Sequence, residues 1–334
     1  MPRYRRLEVA GGIYHVIARG IERRVIFIDN HDRKEFIRRL KEGLETTGSK
    51  CYGWVLMPNH FHLLIRTGKQ PLTDLMRKLL TGYAMYFNAQ HKRRGYLYQN
   101  RYKSILCQEE SYLMELTRYI HLNPLRAHIV ADINGLEKYP WSGHAVLLGH
   151  VKHEWQTTGE ILERFGSTKK KAIEQYRKFV MEAKDMGHRE DLAGGGLRRS
   201  AGGWSGVMAL GRQGDRWQGD ERVLGDGTFV SAVLKESEEA IVRHEKLKRE
   251  GWDIVRLITY ISALMSVPKE DIYRRSRKNR ISQARELVMY LGKTELHMSG
   301  RELEKTFSIS SSAVSQSIQR GEKLAREMSI KLYT

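Results

Sequence analysis

Two apolar runs, KCYGWVLM (residues 50–57) and HFHLLIRT (60–67), are separated only by Pro58 and Asn59. Proline and asparagine favour a chain reversal, so the pair predicts a hairpin or a bent pair of strands. Around it the chain alternates between the two hydrophobic periods. GIYHVIAR (12–19) is rich in β-branched and aromatic residues, as a strand requires. The segment after it repeats Phe36, Ile37, Leu40 and Leu44 at helical spacing, with Asp29, Asn30 or Asp32 available as a cap and Gly48 as a stop. A second helix fits residues 71–92, with Pro71 near its start and Leu72, Leu75, Met76, Leu79 and Leu80 on one face. RYKSILCQ (101–108) reads as a further strand, and residues 109–123 as a helix with acidic residues in its first turn. This β-α-β-β-α-β order predicts an α+β domain whose helices pack on one face of an antiparallel sheet.

The second run carries His60 and His62 inside an otherwise apolar stretch. Alternate residues of a strand emerge on the same face, so the two imidazoles converge. Two readings follow: hydrogen-bonded structural histidines, or two ligands of a metal site awaiting a third. The helix at 109–123 offers Tyr119 and Asn123, which at i, i+4 lie on one face about a turn apart. Asn123 also precedes Pro124, a pattern that fits a helix cap as well as it fits a ligand.

Charge narrows the partners. The formal net charge is +19 over 334 residues, and most of the excess lies in the first 150. A surface of that sign favours polyanions, because each neutralised phosphate releases condensed counterions, and nucleic acid is the leading candidate. The two cysteines, Cys51 and Cys107, fall in strand-like segments without metal-type spacing, which predicts buried free thiols in a reducing compartment. The first residues lack the apolar core of a signal peptide, and no stretch is apolar over the length that spans a bilayer; a cytoplasmic protein with no membrane partner is the expectation. A homodimer is left open.

The remainder divides into two parts, giving expected domains of 1–150, 151–235 and 236–334. The middle has a helical pattern from Lys169 to Met186 and then a glycine-dense stretch. A phosphate cradle would need a strand before and a helix after the glycines, and neither is clear, so a loop or linker is expected. In the tail, Ala284, Leu287, Val288 and Leu291 form one stripe, and residues 298–328 read as helix, turn, helix, with Ser299 capping the first and Ser310, Ser311 or Ser312 the second. The second helix of such a pair is the one aimed at a DNA groove, which singles out Ser311, Ser312 and Ser315. The basic run RRSRKNR supplies Arg274, Arg275, Arg277, Lys278 and Arg280 as phosphate clamps.

YGWVLMPNHFHLLI, YLYQNRYKSIL and YLMELTRYIHLNPLRA, taken together and in this order, resemble the insertion-sequence 200 type of single-tyrosine transposases, in particular the repeat-associated tyrosine transposases, from about Tyr14 to Trp141. The resemblance implies a ferredoxin-like sheet whose central strand presents His60 and His62 to a divalent metal. It further implies Tyr119 as the nucleophile and Asn123 as third ligand. The tail, RKNRISQARELVMYL and the helices after it, is similar to the C-terminal duplex-binding domain of the bacterial chromosomal replication initiator. That domain's sequence preference is not carried over, since Ser310, Ser311, Ser312 and Ala313 stand where its polar signature would be.

The implied activity is metal-dependent nicking and joining of single-stranded DNA hairpins. A phenol with a pKa near 10 is a poor nucleophile toward an anionic phosphodiester, so a cation must offset charge and align the phosphate. Imidazoles with an amide oxygen leave coordination positions open, which suits Mg²⁺ or Mn²⁺, with Zn²⁺ also open. The product would be a 5′-phosphotyrosine and a free 3′-OH, reversible without ATP. Two rivals stand beside it: a non-catalytic DNA-binding regulator of repeated elements, and a metallonuclease that uses water.

Overall fold

The computed structural model describes residues 6–68, 70–184, 220, 222–274, 279–330 and 332. It divides into two compact units, Met1–Val233 and Leu234–Thr334.

In the first unit, β1 (Ile13–Arg19), α1 (Asn30–Thr47), β2 (Lys50–Met57), β3 (His60–Arg66), α2 (Leu72–Gln90), β4 (Lys103–Cys107) and α3 (Glu109–His121) follow in chain order. Four strands pair antiparallel in the order β2-β3-β1-β4, the ferredoxin-like arrangement, and a two-residue β5 (Val223–Leu224) adds in parallel beside β4. Local chemistry sets the boundaries of α1. The Asp29 carboxylate accepts from the Asp32 backbone N–H, and Gly48 closes the helix in the left-handed region at φ 64°, where a Cβ would be strained.

α1 and α2 cover one face of the sheet. Phe36 of α1 packs against Phe61 of β3 with ring centroids 4.8 Å apart, and Tyr83 of α2 completes the cluster at 5.2 Å from Phe36. α3 covers the other face, so the sheet is sandwiched rather than exposed on one side. Its Leu113, Leu116 and Ile120 share a core with Val55, Leu64 and Ile105.

That second core recruits more chain than its sequence suggests. After α3 come α4 (Asn123–Arg126), α5 (Ile133–Glu137), α6 (Gly143–Leu147), α7 (Gly159–Leu162) and α8 (Lys169–Glu182). Leu147, Ile161, Tyr176, Val180 and Leu224 all join it. Residues 151–182, expected in a connecting region, therefore pack as part of the first unit. The outer edge of β2 is also occupied: isolated bridges join Cys51 to Gln156 and Val55 to Ser142, and the Trp54 indole donates to Gln156 Oε1 at 2.8 Å. Cys51 and Cys107 are buried and form no disulfide, and burial pushes the Cys51 thiol up.

α9 (Gly227–Arg249) runs across the boundary between the units. The second unit continues with α10 (Ile254–Met265), α11 (Lys269–Tyr273), α12 (Asn279–Thr294), α13 (Gly300–Phe307) and α14 (Ser311–Glu327) around Leu257, Ile261, Leu287, Val288, Leu303 and Val314. Ser299 and Glu302 form a reciprocal capping box at the start of α13. Ser310 caps α14 by accepting from the Ala313 N–H. α12 and α14 approach so closely that a Cβ on Gly321 would lie 2.0 Å from the Glu286 carbonyl oxygen. Among the described residues no helix is long and apolar enough to cross a membrane.

Candidate active site

Register places the histidines. β3 lies between β2 and β1, with His60 opposite Arg19 and Met57, and His62 opposite Ile17 and Val55. Both imidazoles point to the face covered by α3. Their ring centroids are 5.2 Å apart. His62 is buried and His60 half-buried.

Each ring is held through Nδ1. His60 Nδ1 lies 2.6 Å from Asn59 Oδ1, an acceptor, so Nδ1 carries the proton. His62 Nδ1 lies 2.9 Å from His15 Nε2, a neighbour on β1. With both Nδ1 atoms engaged by the protein, Nε2 is the nitrogen each ring has left to offer a ligand, the arrangement by which outer partners orient metal-binding histidines. Burial lowers the pKa of His60 to about 4, with the Arg19 charge adding to the effect, and burial together with the His15 and His60 rings lowers that of His62 well below its ordinary value. Both are neutral near pH 7 and so can ligate.

α3 brings Tyr119 to the same place. Its ring stands edge-on to His62 at 6.2 Å and to His15 at 6.0 Å between centroids, and the side chain is 8% exposed. The Arg126 guanidinium lies 5.5 Å from the Tyr119 ring centroid. Arg19 at the end of β1 adds a second cation, opposite His60. Segments more than 100 residues apart in the chain thus converge on one small, positively edged locus.

Asn123 departs from the cap pattern its sequence suggests. Leu122, with helical φ and ψ, leads α3 into α4 almost without a break, so it takes the capping position. Asn123 is left at the first helical position, and its amide nitrogen donates to the carbonyls of Tyr119 (2.9 Å) and Ile120 (3.2 Å). That fixes the amide and makes Oδ1 its available ligand atom. Among the described residues no three of His, Cys, Asp and Glu are grouped to hold a metal ion.

In the second unit, Arg274, Arg280 and Ser312 are exposed and Ser315 is partly so. Arg275, Arg277 and Lys278 lie outside the described residues, as does the side chain of Ser311. His15, Asn59 and Arg126 are site residues that the sequence did not single out. The only signal for His15 was a polar residue in an apolar strand.

Residues 8–123 match a protein-family model described as Transposase IS200 like. None of the curated proteins matches the chain. A solved structure titled "Structure of the REP associates tyrosine transposase bound to a REP hairpin" is similar at 15% identity and a TM-score of 0.38, over 47% of this chain and 98% of that one. The matched segment contains the hairpin, the histidine pair and the whole of α3, so the similarity to IS200-like transposases is confined to residues 8–123 of the first unit.

Proposed function

We propose that the first unit nicks and rejoins single-stranded DNA at palindromic or repeat-associated hairpins through a covalent bond to Tyr119, with a divalent ion held at His60 and His62. The observation that carries the reading is the meeting of Tyr119 with the His60–His62 pair, at 6.2 Å from the His62 ring. The match of residues 8–123 to the model of IS200-like transposases supports DNA as the substrate.

The Tyr119 oxygen attacks phosphorus as the bond to the 3′ oxygen breaks, and the proton lost by the phenol is balanced by the one the departing 3′ oxygen takes up. The products are a 5′-phosphotyrosine and a 3′-OH. A second 3′-OH reverses the exchange, because one phosphodiester replaces another. Arg126, over the Tyr119 ring, adds positive charge near the attacking side chain. Arg19 supplies positive charge for the phosphate. The residues fit a metal: two neutral imidazoles with Nε2 to offer, and Asn123 Oδ1 as a third donor. A bound Mn²⁺ or Mg²⁺ would withdraw charge from the phosphate oxygens and orient them. Imidazole donors favour Mn²⁺ of the two.

The second unit is proposed as a duplex-binding module. The turn at Ser308 joins α13 to α14, whose N-terminal turn presents Ser312 and Ser315, with Arg274 and Arg280 available for phosphates.

Tyr119→Phe tests the central claim. With Mn²⁺ and a labelled hairpin oligonucleotide, wild type should give a covalent adduct on a denaturing gel, and the variant should bind DNA equally well and give none. An adduct at wild-type level from the variant would refute the nucleophile. Cleavage that persists without an adduct would instead indicate attack by water.

A further inference from the structure

Pro58 and Asn59 make the turn between β2 and β3, and the loop that follows β1 is fastened to it. The Gly20 N–H donates to the Asn59 carbonyl at 2.8 Å, and the N–H groups of Ile26 and Phe27 donate to the Pro58 carbonyl at 2.8 and 3.2 Å. At the far end of the loop the Tyr83 hydroxyl of α2 donates to the Ile26 carbonyl at 2.6 Å. The chain folds back so tightly that a Cβ on Gly20 would lie 2.1 Å from the Arg24 carbonyl oxygen.

Within this loop Glu22 and Arg23 both take the left-handed conformation, at φ 51° and 60°. Residues with a Cβ are strained there, and two in succession persist only where the surroundings over-determine them. The Glu22–Arg24 ion pair is exposed and contributes little to holding them. The backbone bonds to the turn do the holding, and with them comes a further contact: the Arg23 carbonyl accepts from Asn59 Nδ2 at 3.0 Å.

That contact has a direction. A carbonyl oxygen only accepts, so Asn59 must offer Arg23 the NH₂ end of its amide. The oxygen end is thereby turned to His60, whose Nδ1 lies 2.6 Å away. An amide oxygen also only accepts, so Nδ1 carries the His60 proton and the lone pair is left on Nε2. Reversing the amide would set NH₂ against Nδ1 and favour the opposite tautomer, whose protonated Nε2 cannot bind a metal.

We infer that Asn59 is a positioning residue through which the strained loop at Gly20–Arg24 sets the tautomer of His60. This deepens the proposed metal site and rests on His60 being a ligand there; it adds what keeps the ligand nitrogen unprotonated.

The test records imidazole nitrogen NMR spectra of the metal-free full chain near neutral pH, with the His60 ring assigned by its loss in His60→Gln, and Mn²⁺ affinity by calorimetry on the same chains. Wild type should show His60 protonated at Nδ1. Asn59→Ala, at a backbone position outside the left-handed region, should move His60 toward the Nε2–H tautomer and weaken Mn²⁺ binding about 10- to 100-fold. Asn59→Asp keeps an acceptor for Nδ1 whichever way the carboxylate turns, so it should retain the tautomer and the affinity, a rescue that a merely structural loss would not show. Gly20→Ala displaces the Arg24 carbonyl and the loop with it; it should mix the tautomers when Asn59 is present and leave them unmixed in Asn59→Asp. A His60 tautomer unmoved in Asn59→Ala overturns the inference, and so does one lost equally in Asn59→Asp. A folded Gly20→Ala chain with the wild-type tautomer also overturns it, by removing the loop from the relay. If circular dichroism shows Gly20→Ala unfolded, Asn59→Ala against Asn59→Asp decides. A wild-type chain that shows the tautomer, and its loss in Asn59→Ala, but takes up no Mn²⁺ would support the relay and refute the metal reading, so the two failures are distinguishable.

Discussion

His15 has the most influence on the site for the least visibility in the sequence. Its Nε2 sits 2.9 Å from His62 Nδ1 and so sets which way the His62 ring faces. Replacing a group that orients a ligand lowers metal affinity by about 10- to 100-fold. His15→Leu should weaken Mn²⁺ binding by that factor, measured by calorimetry, with the fold intact by circular dichroism; unchanged affinity would remove His15 from the site. The pair His60 and His62 could be read from strand alternation alone. His15 could not, because its meeting with His62 depends on the β1–β3 register, a long-range pairing that no local pattern encodes. A second histidine pair contributes to acid stability alongside His60 and His62, whose pKa values burial also lowers. His121 and His144 both bond through Nδ1 to the Tyr176 hydroxyl, at 2.7 and 2.8 Å, and burial lowers the His144 pKa to about 3. The unfolded chain takes up this proton below about pH 6.5 and the folded one does not, so stability is whole above that pH and declines between 6.5 and about 3. The slope is roughly 1.4 kcal/mol per pH unit per histidine. Urea midpoints should therefore fall between pH 7.5 and 5, and His144→Asn should flatten the fall; an identical pH dependence in the variant would place its origin elsewhere.

Elements were legible where short-range chemistry sets their limits. Asp29 and Gly48 bound α1, and Ser299 and Ser310 start α13 and α14, each visible as a residue type in position. α8 was read as a helix, but its place in the core was not. Its sequence, KKKAIEQYRKFVME, is dominated by charge, and only Ala172, Tyr176 and Val180 are buried, at a spacing that any amphipathic helix shows. β5 has two residues, too few for a period, and exists because β4 had an edge to pair. Gly321 is the matching case in the second unit. It lets α14 press against the backbone of α12, and Arg320 beside it pairs with Glu286. Gly321→Ala places a methyl against a carbonyl that cannot turn aside, and overpacking of this kind costs about 1–3 kcal/mol. The variant should lower the melting transition of the second unit and leave that of the first where it was. A single transition unchanged by the substitution would show that the helices separate freely.

For the whole molecule, the net charge of +19 is the property that sequence alone conveys most fully, since it needs no fold. It has a measurable consequence: DNA affinity should fall linearly with salt on logarithmic axes, with a slope near −0.7 per phosphate neutralised on single strands and near −0.9 on duplex. If the two units take the two kinds of DNA, hairpins with and without unpaired flanks should give different slopes at equal length; equal slopes would argue that one surface binds both. The sheet also limits how the chain can meet a copy of itself. β5 lies along one margin, and the bridges from Ser142 and Gln156 lie along the other. Among the described residues only short lengths of either edge are left without a partner, which weakens strand-to-strand pairing as a route to association. Two copies that meet through side chains and helix surfaces can come apart and re-form without either sheet being unzipped.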